Sequence, residues 1–90
     1  MIDGQRQCLV ALGDTTAPNG EWCATFASIV ASTGMDRKTV RRHVRALARK
    51  GLAEYYRGLW DEDGNPRGAG YCITEAGQDW LATHPTQEDQ

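Results

Sequence analysis

"DRKTVRRHVRALARK" occupies residues 36–50, and its reading decides the fold. At 100° per residue, Val40, Val44, Leu47 and Gly51 fall within one narrow sector, while Lys38, Arg41, Arg42, Arg45 and Arg49 fall on the opposite side. The spacing predicts a helix with an apolar core face and a purely cationic outer face. Asp36 is a good N-cap, and its carboxylate suits the positive end of a helix. Seven of the ten basic residues lie in this segment, and no acidic residue follows Asp36 until Glu54. The rest of the chain, Asp36 included, holds three basic and twelve acidic residues, so the formal net charge of −2 hides a dipolar layout. A solvated helix face ordinarily mixes signs, because like charges four residues apart repel. Here Lys38 with Arg42, Arg41 with Arg45, and Arg45 with Arg49 are all like-charged neighbours, a repulsion that a bound polyanion relieves.

Working outward toward the N-terminus, "FASIVAST" (26–33) reads as a helix capped by Thr25 and ended by Gly34. Two helices separated by a short Gly-containing turn, the second one basic, form a helix-turn-helix. Upstream, "DGQRQCLVALGD" (3–14) places Cys8, Leu9 and Leu12 at helical spacing, with Gly13 and Asp14 as a stop. "TTAPNG" is a loop and "EWCA" (21–24) one edge strand. After Gly51, "LAEYYRGLW" (52–60) and "GYCIT" (70–74) alternate as a hairpin, and the intervening "DEDGNPRGAG" projects as a flexible wing. Thr74 caps a last helix over 75–84, ended at Pro85. The expected fold is mainly α with a small β-hairpin (α+β): a three-helix core plus wing and C-terminal helix over residues 1–84, with 85–90 a flexible tail.

Ninety residues make one small domain with a modest core and little room for a large substrate cavity. Apolar runs are far shorter than a membrane span, so a soluble, cytoplasmic protein is expected. The three cysteines, Cys8, Cys23 and Cys72, have no CxxC spacing and read as packed thiols; were they to converge, they would form a thiol sensor. Asp61, Asp63 and Asn65 imitate the start of a calcium loop, but Pro66 stands where Gly is needed and Cys72 where a bidentate Glu belongs. His43 lies at the edge of the core face of the basic helix, and neither it nor His84 has metal-site companions at a recognised spacing. No nucleophile with its base and no phosphate loop is present, so no enzymatic activity, cofactor or metal is expected.

The segment "GEWCATFASIVASTGMDRKTVRRHVRALARKGLAE" resembles winged helix-turn-helix domains, in particular those of phage replication and regulatory proteins. "YCITEAGQDWL" is similar to the second wing strand and following helix of multiple-antibiotic-resistance-type repressors. Together the two stretches cover most of residues 8–82. The sequence departs from the family pattern at Val30, where a small Ala is usual, and at its acidic wing tip. The resemblance implies the winged-helix fold and a role in DNA-linked regulation.

Residue chemistry independently points to double-stranded DNA, since clustered Arg and Lys gain from releasing phosphate counterions and a helix fits the major groove. Arg37, Lys38, Thr39, Arg41, Arg42 and Arg45 occupy the half of the helix expected to meet base edges, and Arg49 lies near its far end. Arg41, Arg42 and Arg45 are the foremost candidates for guanine recognition, and Thr39 for a thymine methyl or a phosphate. Thr25 and Ser28, at the start of the preceding helix, are candidates for holding the phosphate backbone, and Arg67 for a wing contact, with Arg57 weaker. Leu9, Leu12, Trp80 and Leu81 form a candidate homodimer seam. The alternatives are a winged-helix module docking an acidic protein partner, or an accessory DNA-binding factor in phage replication. A small-molecule effector between the end helices is not expected.

Overall fold

The computed structural model describes residues 2–18, 23–60 and 66–84, with side chains at all of these except 58–60 and 66–69. Along the chain run α1 (Asp3–Thr15), α2 (Phe26–Thr33), α3 (Arg37–Arg49), β1 (Ala53–Trp60), β2 (Pro66–Ile73) and α4 (Glu75–Thr83). This is the expected architecture, mainly α with a two-stranded antiparallel wing.

The apolar stripe read from α3 is its buried face: Val40, Val44 and Leu47 have no exposed surface. They meet Cys8, Leu9 and Leu12 of α1, Ile29 of α2 and Ile73 of β2 in one core. Each aliphatic side chain buried in this way contributes roughly 1.5–3 kcal/mol. Val30, larger than the usual Ala, is half-buried and packs against this core from α2.

Glycines set both ends of the recognition unit. Gly34 closes α2 with φ 78°, and its N–H donates to the Val30 carbonyl, a left-handed turn that reverses the chain before Asp36 starts α3. Gly51, expected on the core face, is instead exposed with φ 80°. Its N–H donates to Ala48 O while Leu52 N–H donates to Leu47 O, the paired bonds of a Schellman cap. The left-handed residue takes the chain off the helical sector before the period reaches position 51. Leu52, one residue later, turns into the core.

Helix α1 runs through Gly13 and Asp14, which were expected to stop it, as far as Thr15, with Thr16 as its C-cap. That residue's hydroxyl donates to Leu12 O at 2.7 Å and accepts from Ile73 N–H at 2.8 Å, stapling the end of α1 to β2. The wing is longer than expected, because β2 begins at Pro66 and not at residue 70. Its register pairs Ala53 with Ile73, Tyr55 with Tyr71 and Trp60 with Pro66, shifting between Tyr56 and Trp60. Of the expected edge strand, Ala24 forms one reciprocal bridge with Tyr71, both bonds 2.8 Å, while Glu21 and Trp22 lie outside the described residues. The expected tail, 85–90, lies outside them too.

Helix α4 is tied to the end of α3 by one side chain. The Thr74 hydroxyl accepts from Gly77 N–H at 3.0 Å as an N-cap and donates to Gly51 O at 2.7 Å. At its other end, Arg6 of α1 donates to the His84 carbonyl at 2.7 Å, with its guanidinium 5.6 Å from the Trp80 ring centre. Leu9 and Leu12 are wholly buried, so they belong to the core and are not available as a dimer seam; Trp80 and Leu81 are half-buried and pack on its edge. Among the described residues no helix is long and apolar enough to cross a membrane.

Candidate nucleic-acid interface

Because α3 commits Val40, Val44 and Leu47 to the core, its opposite face is forced outward. Lys38, Arg41, Arg42, Arg45 and Arg49 are all exposed there and together line one shallow groove. Among the described residues, no carboxylate, carbonyl or other acceptor engages any of the five. None of the acidic side chains among the described residues is folded back onto this ridge, which leaves its charge open there to an external anion.

The first turn of α3 is held from two sides. Arg37 places its guanidinium 5.8 Å from the centre of the Phe26 ring, the first residue of α2, in a cation–π contact that bridges the two helices of the motif. Asp36, expected to cap the helix through its carboxylate, makes no side-chain bond to the helix amides. Its Oδ1 accepts instead from the Thr39 hydroxyl, and this bond holds the carboxyl below the usual carboxylate range. With its proton committed to Asp36, the Thr39 hydroxyl has no donor left for a phosphate. Of its two expected roles, the methyl contact with thymine is the one that fits this arrangement.

At the N-terminus of α2, Thr25 and Ser28 bond reciprocally. Thr25 Oγ1 accepts from Ser28 N–H at 3.1 Å, and the Ser28 hydroxyl donates to the Thr25 carbonyl at 3.0 Å. Both residues are exposed. The Thr25 hydroxyl keeps its own proton for an outside acceptor, whereas Ser28 has spent its proton internally.

Lys50 turns away from the ridge and donates to Gln5 Oε1 at 2.6 Å. Arg57 is exposed on β1, while the side chain of Arg67 and the residues Asp61, Glu62, Asp63 and Asn65 lie outside the description. One feature of this region was not read from sequence: Tyr55 is 49% exposed, one of the two large apolar or aromatic side chains so exposed among the described residues. The adjacent pair Tyr55-Tyr56 carried the signal, because strand alternation turns neighbours to opposite faces.

Among the described residues no group of three His, Cys, Asp or Glu side chains is placed to hold a metal ion. Burial pushes the Cys8 thiol up to about 11, leaving little thiolate at neutral pH for redox sensing. His43 is buried against Gly4 of α1, and His84 stacks on Trp80 with centroids 4.1 Å apart. An open cleft between α1, β2 and α4 is lined by Val10, Gly13, Ile73, Leu81 and His84.

No protein-family model and no curated protein matches the sequence. Solved structures do match the fold. Bordetella bronchiseptica BpsR, whose structure concerns regulation of its DNA binding by 6-hydroxynicotinic acid, superposes with a TM-score of 0.74 at 19% identity over 94% of this chain and 53% of its own. A MarR family transcriptional regulator from Silicibacter pomeroyi gives 0.69 at 23% identity, over 90% of this chain and 48% of its own. A Ralstonia eutropha protein assigned to DNA binding gives 0.71 at 17% identity, over 96% of this chain and 99% of its own. The chain thus spans about half the length of the first two and nearly all of the third. Its architecture is the winged helix-turn-helix found in MarR-family regulators.

Proposed function

We propose that this domain, residues 1–84 with a tail over 85–90, binds double-stranded DNA by inserting α3 into the major groove. In this reading it serves as a small phage-type or bacterial transcription regulator in the cytoplasm. The observation that carries the reading is the ridge of Lys38, Arg41, Arg42, Arg45 and Arg49, exposed and without a carboxylate partner among the described residues. Arg41, Arg42 and Arg45 read base edges, where the planar guanidinium fork matches the two acceptors of guanine. Arg37, Lys38 and Arg49 neutralise phosphates along the groove walls. Thr25 donates to a backbone phosphate at the positive end of α2, with Ser28 beside it, and the Thr39 methyl packs against a thymine. Arg67 extends the contact from the wing.

A homodimer would present two copies of α3 to half-sites about one helical turn apart. With Leu9 and Leu12 in the core, the seam rests on Trp80, Leu81 and neighbouring surface of α1 and α4. The chemistry is binding only, with no cofactor.

Titration of a random-sequence duplex at several salt concentrations tests the reading. Phosphates neutralised by Arg37, Lys38, Arg49 and Arg67 correspond to a slope of log affinity against log salt of roughly −3 to −4. A module that docks an acidic protein would show little duplex affinity and no such slope.

A further inference from the structure

The wing carries an aromatic row that duplex binding does not use. Ala53, Tyr55, Tyr71 and Ile73 share one face of the hairpin through the pairs Ala53–Ile73 and Tyr55–Tyr71. Ile73 and Ala53 are buried in the core, Tyr71 is half-buried, and Tyr55 emerges beyond it at 49% exposure. Tyr71 packs its ring 5.6 Å from Phe26 on one side and 5.0 Å from Tyr55 on the other. Phe26 lies under the Arg37 guanidinium, and the exposed Arg57 lies two residues beyond Tyr55 along β1. The row therefore starts at the first turns of α2 and α3, beside the cationic ridge, and ends in an open phenol ring flanked by a second arginine.

We propose that Phe26, Tyr71 and Tyr55, bounded by Arg37 and Arg57, form a stacking platform for an unpaired base of a DNA strand leaving the duplex, so that the domain prefers a duplex–single-strand junction to continuous duplex. This inference rests on the duplex-binding reading of α3. A row of rings with an arginine at each end suits a single strand because every base offers a π-face to an aromatic ring while its phosphate meets a cation. Continuous duplex keeps its bases stacked internally and has none to offer the exposed ring. Continuity with the α3 ridge places the platform where a strand frayed from bound duplex would pass.

Fluorescence anisotropy with the full chain tests this, using a blunt duplex, the same duplex with a ten-nucleotide overhang, and the overhang strand alone. Wild type is expected to bind the overhang duplex about tenfold more tightly than the blunt one, the effect of one base–aromatic stack. Tyr55→Ala should remove that preference and leave blunt-duplex affinity unchanged, while Tyr55→Phe should retain it. Circular dichroism confirms that both variants fold. Equal binding of blunt and overhang duplex by wild type would overturn the inference and leave the α3 reading standing. Binding of the single strand with no affinity for blunt duplex would overturn the α3 reading instead. Loss of self-association in Tyr55→Ala, with no change toward any DNA probe, would make the row a protein contact and overturn the inference.

Discussion

The Thr39 hydroxyl donates to Oδ1 of Asp36, so the first turn of α3 is locked to the residue that starts the helix by a side-chain bond and not by a carboxylate cap on the amides. The bond lowers the Asp36 pKa, because it favours the ionised carboxylate. A depressed folded-state pKa contributes stability that is present above the unfolded value, about 3.9, and is lost as pH falls through the folded value. Thr39→Val keeps the methyl and removes the donor. Its expected outcome is a rise of the Asp36 pKa toward the ordinary range, read by carbon-13 NMR titration of the carboxyl, with a loss of stability that is present above about pH 4 and vanishes as the pH falls through the folded value. An unchanged titration would show that Thr39 does not set the charge there.

At the crossing of α1 and α3, Gly4 faces the His43 ring so closely that a β-carbon would collide with the imidazole. In an unobstructed helix, Gly→Ala gains up to about 1 kcal/mol. Here the sign should reverse. Gly4→Ala is expected to destabilise by about 1–3 kcal/mol through overpacking, measured as a lower urea midpoint at unchanged slope. A stabilised variant would place the two helices farther apart than described.

Thr74 joins two elements with one hydroxyl, capping α4 and holding the Gly51 carbonyl at the end of α3. Thr74→Ala is expected to cost about 1–2 kcal/mol, lowering the melting temperature by roughly 4–8 °C per kcal/mol. Thr74→Ser, which keeps both bonds, should recover most of the loss. Equal loss in the two variants would trace the effect to the methyl group.

What could be read beforehand was whatever rests on periodicity or local turn chemistry. Val40, Val44 and Leu47 repeat at helical spacing, and Thr25, Gly34 and Thr74 stand where caps belong, so the helices and the cationic ridge were legible. Gly51 was misplaced because a period continues on paper where the chain reverses through a left-handed residue. The early start of β2 at Pro66 was hidden because the stretch from Pro66 to Gly70 has little strand propensity of its own and is extended by pairing with β1. The bonds of Thr39 and Ser28 were illegible for another reason. A hydroxyl within reach of several partners chooses among them by rotamer, which spacing does not encode. The dimer candidates Leu9 and Leu12 failed because a helix in a small domain can be enclosed on more sides than a simple stripe implies.

The central claim is that the exposed face of α3 meets DNA, and duplex affinity of Arg42→Ala and Arg45→Ala across a salt series tests it most directly. Both side chains point into solvent, so folding by circular dichroism should match wild type. Each substitution is expected to weaken binding to a selected site by about 1–3 kcal/mol if the arginine reads a base, or to reduce the salt slope by about 1 if it meets a phosphate. Binding by both variants equal to wild type at every salt concentration would contradict the account.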